Sequence, residues 1–586
     1  MSEQNLVQIF LKTAELLKSK PCFRYKEGEV WKALSWIEAA ERVMKIGCGL
    51  QSIGVKKGDA VALYSSTRVE WTLSDLGILS IGAITVPIYQ SNTVEQAAYI
   101  IKDSEAGVVI VENLDLLKKV RSENKTVSVL LISGQSSGKS VVTWSEIMIQ
   151  RGDQASWRKG VEQIKSTDVA TYVYTSGTTC NPKGVILTHK NFMAEVGSLE
   201  KVLKIEQNYE SLLFLPLAHI VARALQFFHL KVGFVQAYAE SIEKLVDNLA
   251  EIRPHFFVAV PRIFEKVYER IHAQVKSGSK LKQWIFHWAT SVGRDVSQRR
   301  QQRKRLPLLL QFQHKLASLL VFKKLKARLG GRVLFTISGG APLSQEIGEF
   351  FDAAGILILE GYGLTETTAA INCNRPDGFK FGFVGPVVEG VEEKIAPDGE
   401  ILVRGPVIFQ GYYKKPEATR EVLTPDGWFH TGDIGEFDMD GFLKITDRKK
   451  DIIVTAGGKN VAPQNIENIL KMVPYISQVV VHGDKRKYLS ALVTLNRDQV
   501  EKYAHSTGIS FGDFSELTRH PKIYALIQKS IEEKNRKLAS FETIKKFAIL
   551  EGDFSQESGE LTPTLKVKRR FVSEKYKDVL SQLYRE

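Results

Sequence analysis

The chain has 586 residues, of which 44% are hydrophobic and 25% charged, so it has a globular composition and exceeds the size of one hydrophobic core. Its four cysteines, Cys22, Cys48, Cys180 and Cys373, are far apart and form no CxxC or Cys/His cluster, which argues against a disulfide framework or a zinc site and favours the reducing cytoplasm. The formal net charge is +14, the first residues lack the pattern of a secretory signal, and no apolar stretch is long enough to span a bilayer.

Up to residue 160 the chain alternates helix-like and strand-like patterns. Ser35 followed by Glu38 predicts a helix that begins with a capping box. Apolar, β-branched runs predict strands at residues 58–64, 84–88, 107–111 and 127–132. Strands separated by helices predict a parallel α/β sheet, in which ligands gather at the carboxyl ends of the strands.

A hydroxyl- and glycine-rich loop, residues 174–185, follows the strand-like run 169–173, and we call it the phosphate loop. Its backbone N–H groups and side chains suit a nucleoside triphosphate. The residues concerned are Thr175, Ser176, Gly177, Thr178, Thr179 and Lys183. The spacing differs from that of a P-loop, and a near match at 134–140 has only three residues between its glycines, as in a polar surface loop.

Two features follow the phosphate loop. His219 lies in the apolar run 213–220, and the residues alone favour a satisfied core histidine over a ligand contact. Residues 271–330, which we call the basic helical segment, carry 14 Lys and Arg against one acid, Asp295, beside aromatic and leucine stripes. This pattern indicates either a helix pair on anionic lipid or a solvated basic face, and no nucleic-acid-binding module is present in it.

Further nucleotide-binding signals come after residue 330. A predicted strand at 333–337 leads into the small residues 338–343, against which a flat base can lie. A second strand, 356–359, ends in Glu360-Gly361-Tyr362-Gly363-Leu364-Thr365-Glu366-Thr367, where an aromatic ring suits a purine and a carboxylate suits Mg²⁺. Short antiparallel β elements are predicted at 382–386, 399–405 and 411–414. Towards the C-terminus, 465–470 reads as a helix, and 479–481 and 491–495 as strands.

Together these motifs resemble the signature of the adenylate-forming superfamily, from about Gly58 through Arg570. The matching segments are 175–184, 361–366, 428–435, 445–451 and 561–566, and Cys180 stands where the family commonly has glycine. The resemblance implies an α/β fold with a large N-terminal domain, residues 1–449, that contains a β subdomain. It also implies a small, mobile α+β lid at 450–586.

The resemblance also implies roles for individual residues. Tyr362 would stack on adenine, Thr365 would lie near the α-phosphate, and Asp433 and Arg448 would contact the ribose. Thr175 and Glu366 would bind Mg²⁺, His219 would mark the acyl pocket, Lys450 would be the pivot of the lid and Lys566 the catalytic lysine. The implied nucleotide-contacting set is Thr175, Ser176, Gly177, Thr178, Thr179, Lys183, Gly339, Gly340, Ala341, Glu360, Gly361, Tyr362, Thr365, Asp433, Arg448 and Lys450.

The expected reaction converts a fatty acid, ATP and coenzyme A to acyl-CoA, AMP and pyrophosphate through an acyl adenylate. Residues 258–266 resemble a segment of the long-chain fatty acyl-CoA synthetases, which favours long acyl chains. Acyl carrier protein is an alternative acceptor, and its acidity would suit the basic helical segment. A non-catalytic membrane-binding scaffold is the alternative from another class, and the presence of Lys566, Glu366 and Asp433 speaks against it. Chain-length preference and oligomeric state stay open.

Overall fold

The protein is described by a computed structural model that covers residues 4–136, 138, 140–149, 152–175, 182–562 and 566–585. Over these described residues it is a mixed α/β structure with five β-sheets. The helices are Leu6–Leu17, Trp36–Ser52, Val69–Ser80, Val94–Asp103, Leu114–Glu123, Trp144–Met148, Gln154–Glu162, His189–Leu203, Ile220–Val232, Leu245–Ile252, Pro261–Lys276, Lys280–Gln301, Leu308–Ala317, Lys323–Arg328, Gln345–Ala353, Pro416–Arg420, Pro463–Lys471, Arg497–Ser506, Phe514–Arg519, Pro521–Asn535, Arg569–Lys575 and Lys577–Leu583, with 3-10 turns at Thr365–Thr367 and Ser540–Glu542 and a π-helix at Ser318–Phe322.

The first sheet has seven strands and carries the phosphate loop. In spatial order they are Val141–Thr143, Ser128–Leu131, Val108–Val111, Ala60–Tyr64, Ile84–Ile88, Val169–Thr175 and Lys183–Thr188. All neighbours are parallel except the last two, which form an antiparallel hairpin around the phosphate loop. The predicted parallel sheet and its strands are therefore confirmed, as is the capping box between Ser35 and Glu38. Of the polar loop predicted at 134–140, Ser137 and Lys139 lie outside the described residues.

The second sheet has eight strands and supplies the other side of the site. Their spatial order is Asn372–Cys373, Leu357–Tyr362, Phe335–Ser338, Phe256–Ala259, Glu210–Leu213, Val235–Tyr238, Pro21–Glu27 and Val30–Ser35. The central strands are parallel and the two outermost pairs antiparallel. The buried central strands are short apolar runs, as expected when helices cover both faces of a parallel sheet.

Three smaller sheets complete the structure. An antiparallel sheet contains Glu392–Ile395, Glu400–Arg404, Phe429–Phe437 and Leu443–Arg448, a two-stranded sheet contains Ile453–Val454 and Asn460–Val461, and a mixed sheet contains Ile476–His482, Leu489–Leu495 and Ile544–Ile549. Two of the three predicted short β elements are not strands here: 382–386 and 411–414 each make one isolated bridge, Gly385 to Leu443 and Tyr412 to Val185.

The apolar cores divide the chain into a large and a small part. The largest core runs from Leu6 to Leu443, whereas residues from Ile453 to Phe547 form a core of their own. The predicted fold class, a large N-terminal and a small α+β C-terminal domain, is therefore confirmed. Among the described residues, no helix has the length and apolar character needed to cross a membrane.

Candidate active site

The phosphate loop begins and ends on two paired strands. Thr175 closes strand Val169–Thr175 and lies opposite Lys183, the first residue of Lys183–Thr188. The ammonium Nζ of Lys183 lies 4.9 Å from the centre of the Tyr412 ring. The predicted residues Ser176, Gly177, Thr178 and Thr179, with Cys180, fall outside the described residues. The structure thus shows where the loop begins and ends, and the side chain of Lys183 supplies a positive charge at its C-terminal end.

Glu366 lies in the 3-10 turn that starts at Thr365, after strand Leu357–Tyr362. The hydroxyl of Tyr412 donates a 2.8 Å hydrogen bond to its Oε1. Burial raises the pKa of the Glu366 carboxyl, so a bound cation would favour its charged form. Tyr412, which the sequence analysis did not assign to the site, therefore contacts both Lys183 and Glu366 and connects the phosphate loop to this turn.

The oxygen ligands available in this site suit a metal ion that binds as a complex with the nucleotide. Among the described residues there is no group of three or more His, Cys, Asp or Glu side chains that could hold a metal ion. Mg²⁺ is usually held by one or two carboxylates together with substrate phosphates, and it keeps several waters. Glu366 supplies such a carboxylate, and Thr175 is the hydroxyl predicted to join it. The residues present therefore fit magnesium bound to ATP.

Asp433 is the centre of a buried polar cluster. The hydroxyl of Tyr362 donates a 2.8 Å hydrogen bond to Asp433 Oδ2, and Arg448 Nε lies 3.2 Å from Oδ1. Arg448 reaches Asp433 because the two residues are opposite each other in adjacent antiparallel strands. Burial raises the pKa of Asp433, and the guanidinium of Arg448 opposes that rise. A carboxylate held on both sides is suited to accept hydrogen bonds from a ribose.

The glycines predicted to contact the base lie beside the same cluster. A β-carbon on Gly339 would approach the carbonyl oxygen of Gly361 to 3.6 Å, and Gly340 has a φ of +83°, which favours glycine. Ala341 follows on the surface. The carboxylate of Glu360 accepts hydrogen bonds from the backbone N–H of Leu343 at 3.3 Å and of Gly382 at 3.2 Å. Burial raises the pKa of Glu360 to about 7. Glu360 therefore fixes the backbone around the predicted base site.

Lys566, from the C-terminal domain, interacts through its charge with Arg448 and Asp433 of this cluster. Burial and the charge of Arg448 lower its pKa to about 8, and Asp433 opposes the change. Burial, and then the charge of Lys566, lowers the pKa of His219 to about 3, so the imidazole is neutral. His219 Nδ1 accepts a 3.3 Å hydrogen bond from the Val221 N–H at the start of helix Ile220–Val232, which leaves the ring proton on Nε2. The charge of the predicted catalytic lysine therefore acts on the predicted acyl-pocket histidine.

The predicted pivot, Lys450, lies in the exposed turn after strand Leu443–Arg448. Its neighbour Lys449 forms ion pairs with Asp398 at 2.6 Å and with Glu400 at 3.0 Å. The last residue before the pivot is therefore fixed to the antiparallel sheet. The sequence analysis missed this anchor because the partners are about fifty positions earlier in the chain.

The C-terminal domain also touches the helix Pro261–Lys276. Arg262 Nη2 lies 3.5 Å from Ser477 Oγ, and Asn496 Nδ2 lies 3.5 Å from Glu269 Oε2. Arg262 belongs to the 258–266 segment, which the sequence analysis used only to suggest acyl chain length. These contacts hold the domain that carries Lys566 against the large one.

Family models match most of the chain. The model described as AMP-binding enzyme covers residues 10–413, and that of the AMP-binding enzyme C-terminal domain covers residues 450–586. The chain belongs to the AMP-binding enzyme family. Within this adenylate-forming family it is 40% identical to a Mycobacterium tuberculosis protein named long-chain-fatty-acid–CoA ligase FadD15, over 95% of this chain and 93% of the relative. It is 34% identical to Arabidopsis thaliana long chain acyl-CoA synthetase 6, peroxisomal, over 95% and 82% of the two chains.

Solved structures of this family share the fold. The adenylation domain of a Mycobacterium chelonae carboxylate reductase superposes with a TM-score of 0.78 at 21% identity, over 100% of this chain and 92% of that chain. A Bacillus subtilis o-succinylbenzoate CoA synthetase, in complex with the acyl-adenylate intermediate OSB-AMP, gives 0.70 at 20% identity, over 97% and 98%. At these identities the likeness shows the fold alone.

Proposed function

We propose that this protein is an AMP-forming long-chain fatty acid–CoA ligase. The observation that carries the proposal is the electrostatic interaction of Lys566 with Asp433, Arg448 and His219, in a site that also contains the half-buried carboxylate Glu366. The name of the 40% identical mycobacterial relative supports the fatty acid and coenzyme A as substrates. The enzyme would act in the cytoplasm, at the inner face of the membrane.

In the first half-reaction the fatty carboxylate attacks the α-phosphorus of ATP. A P–O bond forms to the acyl oxygen, the bond between the α-phosphorus and the bridging oxygen breaks, and pyrophosphate leaves. Asp433 and Arg448 would hold the ribose, and Lys183 and the phosphate-loop hydroxyls would hold the phosphates. Lys566, protonated below a pH of about 8, would bridge the carboxylate and the α-phosphate and stabilise the charge that develops there.

Magnesium is the metal that Glu366 and Thr175 would hold. When bound, it would neutralise phosphate charge that the protein's own cations leave uncompensated. The role of this chain's residues is to orient the nucleotide. Tyr412 would keep the Glu366 carboxylate directed towards the phosphates through its 2.8 Å hydrogen bond.

In the second half-reaction the thiol of coenzyme A adds to the acyl carbonyl carbon. It loses its proton, a C–S bond forms, and the C–O bond to AMP breaks. Lys566 has no part in this step, so the C-terminal domain would turn about Lys450 and withdraw it to admit the thiol. A closed domain also shields the acyl adenylate from water between the two steps.

The test is release of AMP from ATP, Mg²⁺ and palmitate, with and without coenzyme A, by the native protein and by Lys566→Ala. We expect AMP and palmitoyl-CoA to form only with coenzyme A. The substitution removes a positioned charge, so the rate should fall by about 10²–10³-fold. Arg570→Ala is the matched control, because Arg570 is an exposed cation in the same basic run.

Other outcomes would identify the alternatives. The protein could form palmitoyl adenylate and transfer the acyl group to acyl carrier protein but not to coenzyme A. That outcome would identify acyl carrier protein as the acceptor. Native protein that shows no ATP–pyrophosphate exchange with any fatty acid would reject catalysis in favour of a scaffold.

We also propose that the basic helical segment binds an anionic lipid surface. Its helices bury one face against the large domain, but their outer face exposes large apolar side chains: Leu281, Trp284, Leu308, Leu309, Phe312, Leu316, Leu319 and Leu320. Trp284 is 65% exposed and Phe312 is 67% exposed. Such a cluster is unusual on the surface of a soluble monomer.

The spacing and the charge of this surface fit lipid. Leu308, Phe312, Leu316 and Leu319 are four, four and three positions apart, so they follow one face of a helix. Lys315, Lys323 and Lys324 are exposed beside that row. Apolar side chains flanked by lysines on one face are the pattern of an interfacial helix.

Sedimentation with lipid vesicles tests this surface. The native protein should bind vesicles that contain phosphatidylglycerol and bind less as salt rises. The triple change of Lys315, Lys323 and Lys324 to Gln should weaken binding, whereas the same change at the exposed Lys119, Lys125 and Lys529 should not. If the protein binds an acidic acyl carrier protein but no vesicles, the basic helical segment is a binding surface for that carrier protein instead.

A further inference from the structure

One helix joins the two halves of the proposed nucleotide site through its buried polar face. Helix His189–Leu203 begins directly after strand Lys183–Thr188, which leaves the phosphate loop. Asn191, Glu195 and Ser198 are four and three positions apart, so they lie on one face, and all three are buried. Buried polar side chains on a helix need partners, and here the partners are backbone groups from distant segments.

Two of these residues hold the segments next to Glu366. The Nδ2 atom of Asn191 donates to the carbonyl oxygens of Pro406 at 2.8 Å and Ile408 at 2.9 Å. Glu195 Oε1 accepts a 2.8 Å hydrogen bond from the backbone N–H of Ala370. Glu195 is fully buried, and among the described residues its Oε2 atom has no hydrogen-bond partner.

The two segments that this helix holds are themselves joined at Glu366. The Phe409 N–H donates to the Glu366 carbonyl oxygen at 2.9 Å, and Thr368 Oγ1 donates to the Val407 carbonyl oxygen at 2.5 Å. The position of the Glu366 backbone therefore depends on the packing of 406–409 against the turn. Asn191 fixes one of these segments and Glu195 fixes the other.

The backbone between Glu366 and Ala370 is strained. Thr368 has a φ of +60° and Ala369 a φ of +118°, where residues with a β-carbon are rare. Each such residue costs on the order of 1–3 kcal/mol and persists only where the surroundings hold it. Glu195 bonds the first N–H after the strained pair, so its hydrogen bond stabilises the turn at its C-terminal end.

We propose that Glu195 is a positioning residue of the adenylation site, which holds the strained turn 366–370 and so fixes Glu366 for magnesium-bound ATP. The inference rests on the proposed function, and it adds a residue that makes no ligand contact itself. Burial raises the pKa of Glu195 well above its usual value, which favours the neutral carboxyl. A neutral amide of the same shape can therefore replace it.

The test is calorimetric binding of ATP at varied Mg²⁺, without fatty acid, to the native protein, Glu195→Gln and Glu195→Met. Gln keeps an acceptor for the Ala370 N–H and should bind within about twofold of the native protein, whereas Met fills a similar volume without an acceptor. We expect the Mg²⁺ concentration for half-maximal ATP binding to rise about tenfold in Glu195→Met, the size of one lost buried hydrogen bond. Adding Ala369→Gly to Glu195→Met should recover part of the loss, because glycine relieves the strain.

Ser198→Ala is the matched control on the same helix face. Its hydroxyl donates to the Glu389 carbonyl oxygen at 2.7 Å, so it bonds a segment outside residues 366–370. This variant should lose stability without a change in Mg²⁺ dependence, which separates positioning from general packing. Where Glu195→Met does not fold, Glu195→Asp takes its place, since the shorter side chain withdraws from Ala370.

Equal Mg²⁺ dependence of the native protein and a folded Glu195→Met or Glu195→Asp variant would overturn the inference alone. A loss in Glu195→Gln as large as in Glu195→Met would also overturn it, because the acceptor would then be irrelevant. Failure of the native protein to bind ATP at all would overturn the proposed function, and this inference with it.

Discussion

The proposed nucleotide site and the basic helical segment depart from the usual distribution of side chains in opposite directions. Asp433 is buried and Glu366 half-buried, although acidic groups normally face water, and they are bonded to Tyr362, Arg448 and Tyr412. In the basic helical segment, leucine and aromatic side chains that normally lie inside are exposed. Both arrangements cost stability in the isolated protein. The difference indicates what each region binds: a polar ligand at the first and an apolar surface at the second.

The largest effect on ATP binding should come from breaking the buried polar cluster. Asp433→Asn keeps the shape of the side chain but removes the charge that faces Arg448 and the predicted ribose. Hydrogen bonds to a charged group contribute about 1.5–3 kcal/mol, so KM for ATP should rise about 10- to 100-fold. The KM for ATP of both proteins can be measured from the steady-state kinetics of ATP–pyrophosphate exchange.

Asp440→Asn is the control for that change. Asp440 is 71% exposed and pairs with Lys380 beside the same antiparallel sheet. An exposed ion pair contributes little, so KM for ATP should stay the same. Equal effects at the two aspartates would mean that burial of Asp433 has no bearing on ATP binding.

The next effect concerns membrane binding by the exposed apolar face, and ATP binding should not be affected by it. Phe312→Ser removes a ring whose burial in lipid would contribute about 1.5–3 kcal/mol, which corresponds to at least a tenfold weaker partition onto anionic vesicles. ATP–pyrophosphate exchange without lipid should not change. Ile149→Ser serves as the control, because Ile149 is 81% exposed but lies outside the basic helical segment. If the two variants bind vesicles alike, the apolar row is not the contact surface.

The smallest effect concerns pH. The pKa of Lys566 is lowered to about 8, so the ammonium loses its proton as the pH rises through that value. The adenylation kcat/KM, which reports the free enzyme, should therefore fall several-fold between pH 8 and 9. Lys566→Arg, whose guanidinium stays charged, should be less active at pH 7 but should lose this alkaline decline. A decline that persists in Lys566→Arg would assign it to another group.

Features set by neighbouring residues could be predicted from the sequence. The capping box at Ser35 depends on a residue three positions away, and the strands of the first sheet are continuous apolar runs. The short elements at 382–386 and 411–414 make antiparallel contacts, as predicted, but each makes only one bridge to a distant partner and is not a strand.

Contacts between remote segments could not be predicted in this way. Tyr412 meets Glu366 from 46 positions away, and Asn191 meets Pro406 from 215 away. From the sequence, 411–414 is predicted only as a β element, with no signal that Tyr412 would contact the site. The family motifs singled out Asp433, Arg448 and Lys566, but only the fold shows that they are neighbours. The roles assigned to them stay predictions.

The ion pairs of Lys449 bear on how the second domain could move. Lys449 is held by Asp398 and Glu400, and its N–H donates to the Gly432 carbonyl oxygen at 2.8 Å. Two residues later, the Asp451 N–H is bonded back to the Arg448 carbonyl oxygen at 2.9 Å. Because this last bond spans Lys450, a rotation about Lys450 would have to break it, so the segment would act as a mechanical joint rather than a flexible tether. Such a joint has few rest positions, so it would switch between discrete orientations and lose little entropy on settling in either one.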